Sequence, residues 1–270
     1  MKAKVILVTG STDGIGRQTA IDLAKIGHKV IVHGRNQERS LDAAKEIKSR
    51  SGSNDIETVV ADFTDLESIK AMAQDVKKRF SQLDVLVNNA GVFENKRVML
   101  ENGFERTFMV NHLAMFALTL QLLDLIQETP GSRIVNVSSM AQSGSIDFDN
   151  LNGEKYFDSY NAYAVSKLEN VLFTYKMVRI LNKKDITVNC LHPGVIKTKL
   201  FHAGWGIGGN SLERGAQTPV FAAVSPEMEK KTGLYLVNEK EMRSSAISYD
   251  RKIQDRLWDL SLSYTGLQVP

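Results

Sequence analysis

Short apolar, β-branched runs alternate with longer stretches in which apolar positions recur every three or four residues, and the alternation persists through most of the chain. Val5–Val8, Lys29–His33, Thr58–Ala61, Val85–Val87, Arg133–Val137 and Thr187–Leu191 have the length and composition of strands. Their near-continuous apolar character marks strands buried on both faces of a parallel sheet. Between them, Ile15–Ile26, Gln37–Arg50, Asp65–Phe80, Gly103–Gln127 and Ser159–Asn182 carry helical periodicity. Strand–helix alternation at this spacing predicts an α/β fold, a doubly wound parallel sheet of about seven strands with helices on both faces. The last of these helices is polar at Asn161, Lys167 and Glu169 but rich in Leu, Val and Phe from Leu168 to Ile180. Such a helix packs on the sheet and can offer a second apolar face to a partner subunit.

The chain has 270 residues, enough for one large domain over residues 1–270 with a substantial core. Two stretches read as appendages to it, a loop at about 199–212 and a C-terminal tail at about 238–270. Phe201–Asn210 contains Gly204, Gly206, Gly208 and Gly209 and reads as a mobile loop rather than a domain boundary. Hydrophobic residues make up 43% and charged residues 24%, as in an ordinary globular protein. The net charge of +3 comes without a dense basic cluster, which argues against nucleic acid as a partner. Cys190 is the only cysteine, so no internal disulfide is possible and a reducing compartment is expected. No stretch approaches the ~20 apolar residues of a membrane span, and a cytoplasmic location is expected. His28, His33, His112, His192 and His202 are scattered without ligand spacing, so no metal is expected.

Chemistry begins eight residues into the chain, at Thr9-Gly10-Ser11-Thr12-Asp13-Gly14-Ile15-Gly16. The three glycines fall between the first strand and the first helix. Glycine is needed there where the turn requires positive φ, and where backbone approaches a pyrophosphate with no Cβ in the way. The helix N-terminus adds unpaired N–H groups and a partial positive charge. A tight turn that binds nothing is the plainer alternative, but its place at the head of a βαβ series favours a nucleotide.

G-x-x-x-G-x-G resembles the glycine motif of the short-chain dehydrogenase/reductase superfamily, and further motifs match it in order. Asn88-Asn89-Ala90-Gly91 follows the fourth strand, Asn111 lies in the fourth helix, and Ile134-Val135-Asn136-Val137-Ser138-Ser139 covers the fifth strand. Tyr163 and Lys167 form Y-x-x-x-K, and His192-Pro193-Gly194 follows strand six. The Phe148–Tyr156 insertion, the run Ala162–Phe173, Gly215-Ala216-Gln217-Thr218 and Leu257-Trp258-Asp259 are similar to the retinol dehydrogenase branch. Membrane-anchored members of that branch carry an apolar N-terminal segment, which this sequence does not show.

The resemblance implies a Rossmann-type fold and hydride transfer between a nicotinamide and a carbonyl or alcohol. It assigns catalysis to Asn111, Ser139, Tyr163 and Lys167. A free tyrosine titrates near ~10, and a lysine one helical turn away stabilises the phenolate and lowers that value. Lys167 also holds the nicotinamide ribose, and Asn111 holds the helix kink and a water leading from Lys167. Ser139 positions the substrate oxygen, with Ser138 as its rival. Tyr160 has Ala164, not a cation, four places on, and reads as a packing or pocket aromatic.

The dinucleotide falls by the same resemblance to Gly10, Ser11, Thr12, Asp13, Gly14, Ile15 and Gly16, to Arg35 and Asn36, to Asp62 and Phe63, to Asn89, Ala90 and Gly91, to Tyr163 and Lys167, and to Pro193, Gly194, Val195, Ile196 and Thr198. Asp62 either meets the adenine or caps the helix near Asp65; Thr198 either contacts the carboxamide or caps a short helix. The second strand ends His33-Gly34-Arg35-Asn36, with a guanidinium suited to a 2′-phosphate, assisted by Arg39, where an NAD site has an acid. NADP(H) is favoured over NAD(H). A non-catalytic dinucleotide sensor and a nucleotide-sugar epimerase are the alternatives; the first usually loses the Tyr/Lys pair, the second carries a different glycine motif. Phe201, Trp205 and Ile207 point to an apolar small-molecule substrate. The family pairs through its fourth and fifth helices, which implies a homodimer or homotetramer.

Overall fold

The computed structural model describes residues 3–181, 185–206 and 208–268. Five βα units and a sixth strand come first: β1 (Val5–Val8), α1 (Gly14–Lys25), β2 (Lys29–Gly34), α2 (Gln37–Ser51), β3 (Ile56–Val60), α3 (Leu66–Arg79), β4 (Val85–Asn88), an interrupted helix, β5 (Ser132–Val137), α7 (Ser159–Ile180) and β6 (Ile186–His192). The interrupted helix comprises α4 (Arg106–Phe108), a π-helical turn (Met109–Leu113), α5 (Ala114–Gln121) and α6 (Leu123–Gln127). Then follow α8 (Lys199–Trp205), α9 (Leu212–Val224), β7 (Tyr235–Val237), β8 (Lys240–Met242) and α10 (Arg251–Thr265). The strands form one sheet in the order β3-β2-β1-β4-β5-β6-β7-β8. Seven are parallel, and β8 returns antiparallel on β7 through a two-residue turn in which Asn238 and Glu239 both adopt positive φ.

Alternation along each strand divides the core in two. Ile6, Val8, Val30, Val32, Val85, Val87, Val135 and Val137 face α1, α2 and α9. Leu7, Ile31, Leu86 and Ile134 face α3, α5 and α7. Strand order reverses between β1 and β4, so the chain leaves their carboxyl ends in opposite directions and opens a crevice there.

Two segments read as appendages are ordered elements. The glycine-bearing stretch after β6 contains α8, started by the Thr198 side chain accepting from Phe201 N–H at 3.0 Å. Ile207 lies outside the described residues. In the tail, Asp250 caps α10, and Trp258 packs against Phe116 and Phe173 at ring-centroid distances of 5.0 and 6.1 Å. Removing a buried side chain of that size from a core costs about 3–5 kcal/mol. Leu257 meets Leu168 and Leu172 of α7, and Asp255 pairs with Lys176 and Arg179 at 2.6 and 2.9 Å. The apolar face of α7 suited to a partner subunit is thus covered by the chain's own α10. Among the described residues, no helix is long and apolar enough to cross a membrane.

Candidate active site

The glycine turn is fastened from three sides. Gly10 and Gly14 sit at φ +62° and +56°, where a side chain is strained. Gly10 packs so closely on Ala90 that a Cβ would lie 2.8 Å from the Ala90 Cα, and a Cβ on Gly16 would collide with the Asn89 amide. Thr9 Oγ1 accepts from both Asn89 N–H and Ala90 N–H, at 2.9 and 3.0 Å. The Asn89 amide donates to the carbonyls of Thr9 and Gly10. From the other side, His33 Nδ1 accepts from Gly10 N–H at 3.0 Å, which places its proton on Nε2, facing the Ala61 carbonyl at 3.1 Å. Phe63 stacks on the His33 ring at 4.3 Å, and burial pushes that imidazole down to about 4, so it stays neutral. Thr9 and His33 were not singled out in the sequence; their signal is position, at the ends of β1 and β2, where the crevice opens.

The turn fits a pyrophosphate. Asp13 caps α1 by accepting from Gly14 N–H at 2.8 Å, and the first-turn N–H groups of a twelve-residue helix open into the crevice. Ser11 is consumed internally, its hydroxyl donating to the Val8 carbonyl and accepting from His33 N–H. Thr12 lies beside Gly34, where a Cβ would collide with its methyl group. Ile15 lies in the first turn of α1, and its side chain lies beside Gly215. Arg35, Asn36 and Arg39 are exposed just past β2, with Asn36 capping α2. Asp62 accepts from Thr64 N–H and the Thr64 hydroxyl, while Asp65 caps α3. The capping alternative for Asp62 therefore fails, because Asp65 stands one residue before the helix and takes that place.

The four residues assigned to catalysis converge at the carboxyl ends of β4 and β5. Asn111 sits within the π-helical turn and is buried; its amide donates to the Val92 carbonyl and Ser166 Oγ, and its oxygen accepts from Val92 N–H at 2.7 Å. Gly91 brings the loop against this group, since a Cβ there would lie 3.4 Å from both Asn111 Oδ1 and Lys167 Nζ. Lys167 donates to the Val137 carbonyl at 3.2 Å and lies 5.4 Å from the centre of the Tyr163 ring. The two serines differ in environment. Ser138 is buried, its hydroxyl donating to the Lys167 carbonyl at 2.7 Å. Ser139 is only partly buried, and its Oγ accepts from Ala141 N–H.

Electrostatics here departs from the sequence expectation. Burial pushes the Tyr163 phenol up to about 12, and the Ser139 hydroxyl pulls it only partway back. Burial also brings the Lys167 ammonium down to about 8. Both groups lose water, and that loss penalises phenolate and ammonium alike, outweighing the help each would give the other.

A wall of aromatic rings closes the site. Trp205 of α8 lies 5.3 Å from Tyr163, 5.2 Å from Phe93 and 6.0 Å from Tyr160, and stacks on Phe201. Gly204 lets α8 approach the Phe93 ring, where a Cβ would come within 3.0 Å. Phe93 was missed because nothing in its sequence setting distinguishes it from a loop aromatic. After Pro193 and Gly194, the segment is clipped at its ends: Asn210 N–H donates to the Val195 carbonyl and Lys197 N–H to the Asn210 carbonyl. Ile196 is buried against Gly215, Val195 is exposed, and Thr198 lies beside Gly14 with its hydroxyl used as a cap. Lys199 meets Asp13 at 2.5 Å, joining α8 to the glycine turn.

Comparison with known proteins follows this geometry. A family model for the short chain dehydrogenase matches residues 4–204. Retinol dehydrogenase 14 of Homo sapiens is 36% identical, over 99% of this chain and 88% of that protein. Polyprenol dehydrogenase of Homo sapiens is also 36% identical, over 98% of this chain and 86% of the relative. The solved structure of an uncharacterised protein from Mycobacterium Paratuberculosis superposes with a TM-score of 0.83 at 29% identity, covering 99% of this chain and 95% of that one.

Proposed function

This chain belongs to the short-chain dehydrogenase family, and from that premise we propose that it is an NADP(H)-dependent oxidoreductase acting on an apolar alcohol or carbonyl. The observation that carries the reading is the meeting of Asn111, Tyr163 and Lys167 beside Gly91, with Ser139 adjacent, at the mouth of a crevice begun by a glycine turn.

A bound nicotinamide dinucleotide supplies or accepts the hydride. Gly10, Gly14 and Gly16 admit its pyrophosphate to the N-terminus of α1, and Arg35 with Arg39 holds a 2′-phosphate through charge-assisted hydrogen bonds. The Ser139 hydroxyl orients the substrate oxygen. Tyr163 donates its proton to that oxygen during reduction and takes it back during oxidation. A phenol raised to about 12 keeps its proton at neutral pH, which is the state reduction needs. Lys167 holds the ribose, and a water held by Asn111 returns the proton to it from solvent. Phe93, Tyr160, Phe201 and Trp205 bound the substrate side with aromatic surface. The relatives are named for retinol and polyprenol, two apolar alcohols, and these walls suit that class.

Fluorescence titration with NADPH and NADH, then turnover on a panel of apolar aldehydes and ketones, tests the reading. Tyr163→Phe is expected to keep NADPH binding within about twofold and to lose 10²–10⁴-fold in turnover, the usual weight of a positioned proton donor. Unimpaired turnover in that variant, or no binding of either nucleotide, would overturn it.

A further inference from the structure

Glu169 follows Lys167 by two residues, and at about 100° per residue it emerges on a different side of α7, away from the nicotinamide site. Ala162, Val165 and Glu169 form one stripe of α7 along a small cavity. Glu105 and Phe108, at the start of α4, form the opposite wall, and Asp147, Tyr156 and Asp158 stand at its rim. The cavity holds about 40 Å³, room for about three water-sized occupants.

Each acid facing it is already engaged, except one. Glu105 accepts from the N–H groups of Thr107 and Phe108 at 2.7 and 3.1 Å. Asp147 receives Lys155 at 3.6 Å, and Asp158 caps α7 by accepting from Asn161 N–H. Glu169 is 1% exposed, and neither of its carboxylate oxygens has a hydrogen-bond partner among the described residues. An isolated buried carboxylate is costly, so it is met either by a proton or by a positive charge. Among the described residues no group of three or more acidic, histidine or cysteine side chains is arranged to hold a metal ion, and a divalent ion such as calcium needs six to eight oxygen ligands. The charge left to balance is single.

We propose that this cavity binds a compact monovalent cation (potassium, sodium or ammonium) held by Glu169, with Glu105 as the second carboxylate. The ion fastens the segment carrying Asp147 and Asp158 against α7, the helix that presents Tyr163. Burial and the neighbouring Glu105 push the Glu169 carboxyl up to about 8. Below that pH a cation must displace a proton, so its apparent affinity falls about tenfold per pH unit.

Thermal melts of the full chain test this at constant ionic strength, with KCl, NaCl or NH₄Cl replacing choline chloride. At pH 8.5 the wild type is expected to gain a few degrees with at least one small cation, saturably, and the best of the three identifies the occupant. At pH 6.5 the midpoint concentration should rise by about twenty-five-fold. Glu169→Gln should lose the increment with every salt yet still bind NADPH. A second measurement needs no variant: adding the effective salt to weakly buffered protein at pH 7.5 should release about three-quarters of a proton per chain. Melts that do not distinguish choline from the small cations, an undiminished response in Glu169→Gln, or no proton release would each overturn the proposal.

Discussion

The glycine turn and α8 face each other across one crevice, yet they are held in opposite ways. The turn is set by backbone: Asn89 and His33 hold the Thr9 carbonyl and the Gly10 N–H, Thr9 ties it to Ala90, and two of its glycines leave no space for a Cβ. Helix α8 has no buried residue; it rests on ring contacts at Phe93 and Tyr163 and on one ion pair to Asp13. On the function proposed above, the difference follows from what each would receive. A pyrophosphate is the same group in every turnover, and a rigid cradle pre-organises its N–H donors. An apolar substrate is recognised by area, which many combinations of side chains can provide. One half tolerates almost no substitution; the other tolerates many.

The strongest break in this comparison is Gly16→Ala. The added methyl meets the Asn89 amide, and the Gly10 carbonyl lies 2.5 Å away. Overpacking of this kind costs about 1–3 kcal/mol, roughly 2–4 °C in melting temperature per kcal/mol for a domain of this size. Affinity for NADPH, read by fluorescence titration, should fall at least a hundredfold because the cradle itself shifts. Gly144→Ala is the control: nothing lies within 4 Å of a Cβ there, and both quantities should stay at wild-type values.

The same contrast explains what was legible in the sequence. The glycine turn, Asn88-Asn89-Ala90-Gly91 and Tyr163/Lys167 could be read because close approach and chemistry admit few residue types at those places. Long strands and helices could be read because burial imposes a period. Helix α8 was legible only as the short helix offered as one reading of Thr198, because Gly204 and Gly206 signal a loop, whereas the Thr198 cap and contact with Phe93 stabilise a helix. Strands β7 and β8 have three residues each, too few to show a period, and exist through pairing with β6 and with each other. In the sequence Glu169 stands only as a polar position of its helix. Its burial depends on Glu105 and the segment before α7, distant in sequence. The raised Tyr163 phenol was missed for a related reason: Lys167 is visible four residues on, but the loss of water around both groups is a property of the packed site.

A smaller effect sharpens the comparison at the outer edge of the rigid half. Arg35 is exposed and adds nothing to the packing of the cradle, so on the proposed function its role would be toward the ligand. Arg35→Ala should leave the melting temperature and NADH affinity unchanged and weaken NADPH about tenfold or more, the weight of a charge-assisted hydrogen bond of about 1.5–3 kcal/mol. Equal weakening of both nucleotides would move Arg35 from the 2′-phosphate to a part that the two share.

The smallest effect lies at the seam. Burial opposes ionisation of Asp13, but Lys199 and the Gly14 N–H, with Arg17 adding charge, hold its carboxyl below the usual carboxylate range. The Lys199 side chain is 83% exposed, so its pair with Asp13 contributes at most about 1 kcal/mol to stability and is screened by salt. Lys199→Met should therefore change the melting temperature by no more than a few degrees. Its consequence is local, because this pair is the one ion pair that joins α8 to the rest of the described chain. The protein has two tryptophans; Trp258 is buried in the core and constant, whereas Trp205 rides on α8. In the variant, Trp205 emission should shift to the red as the ring leaves Phe93 and Tyr163, and raised salt should produce the same shift in the wild type but none in the variant. Emission that ignores both changes would mean the rings alone hold α8 in place, and the two halves of the crevice would then be independent.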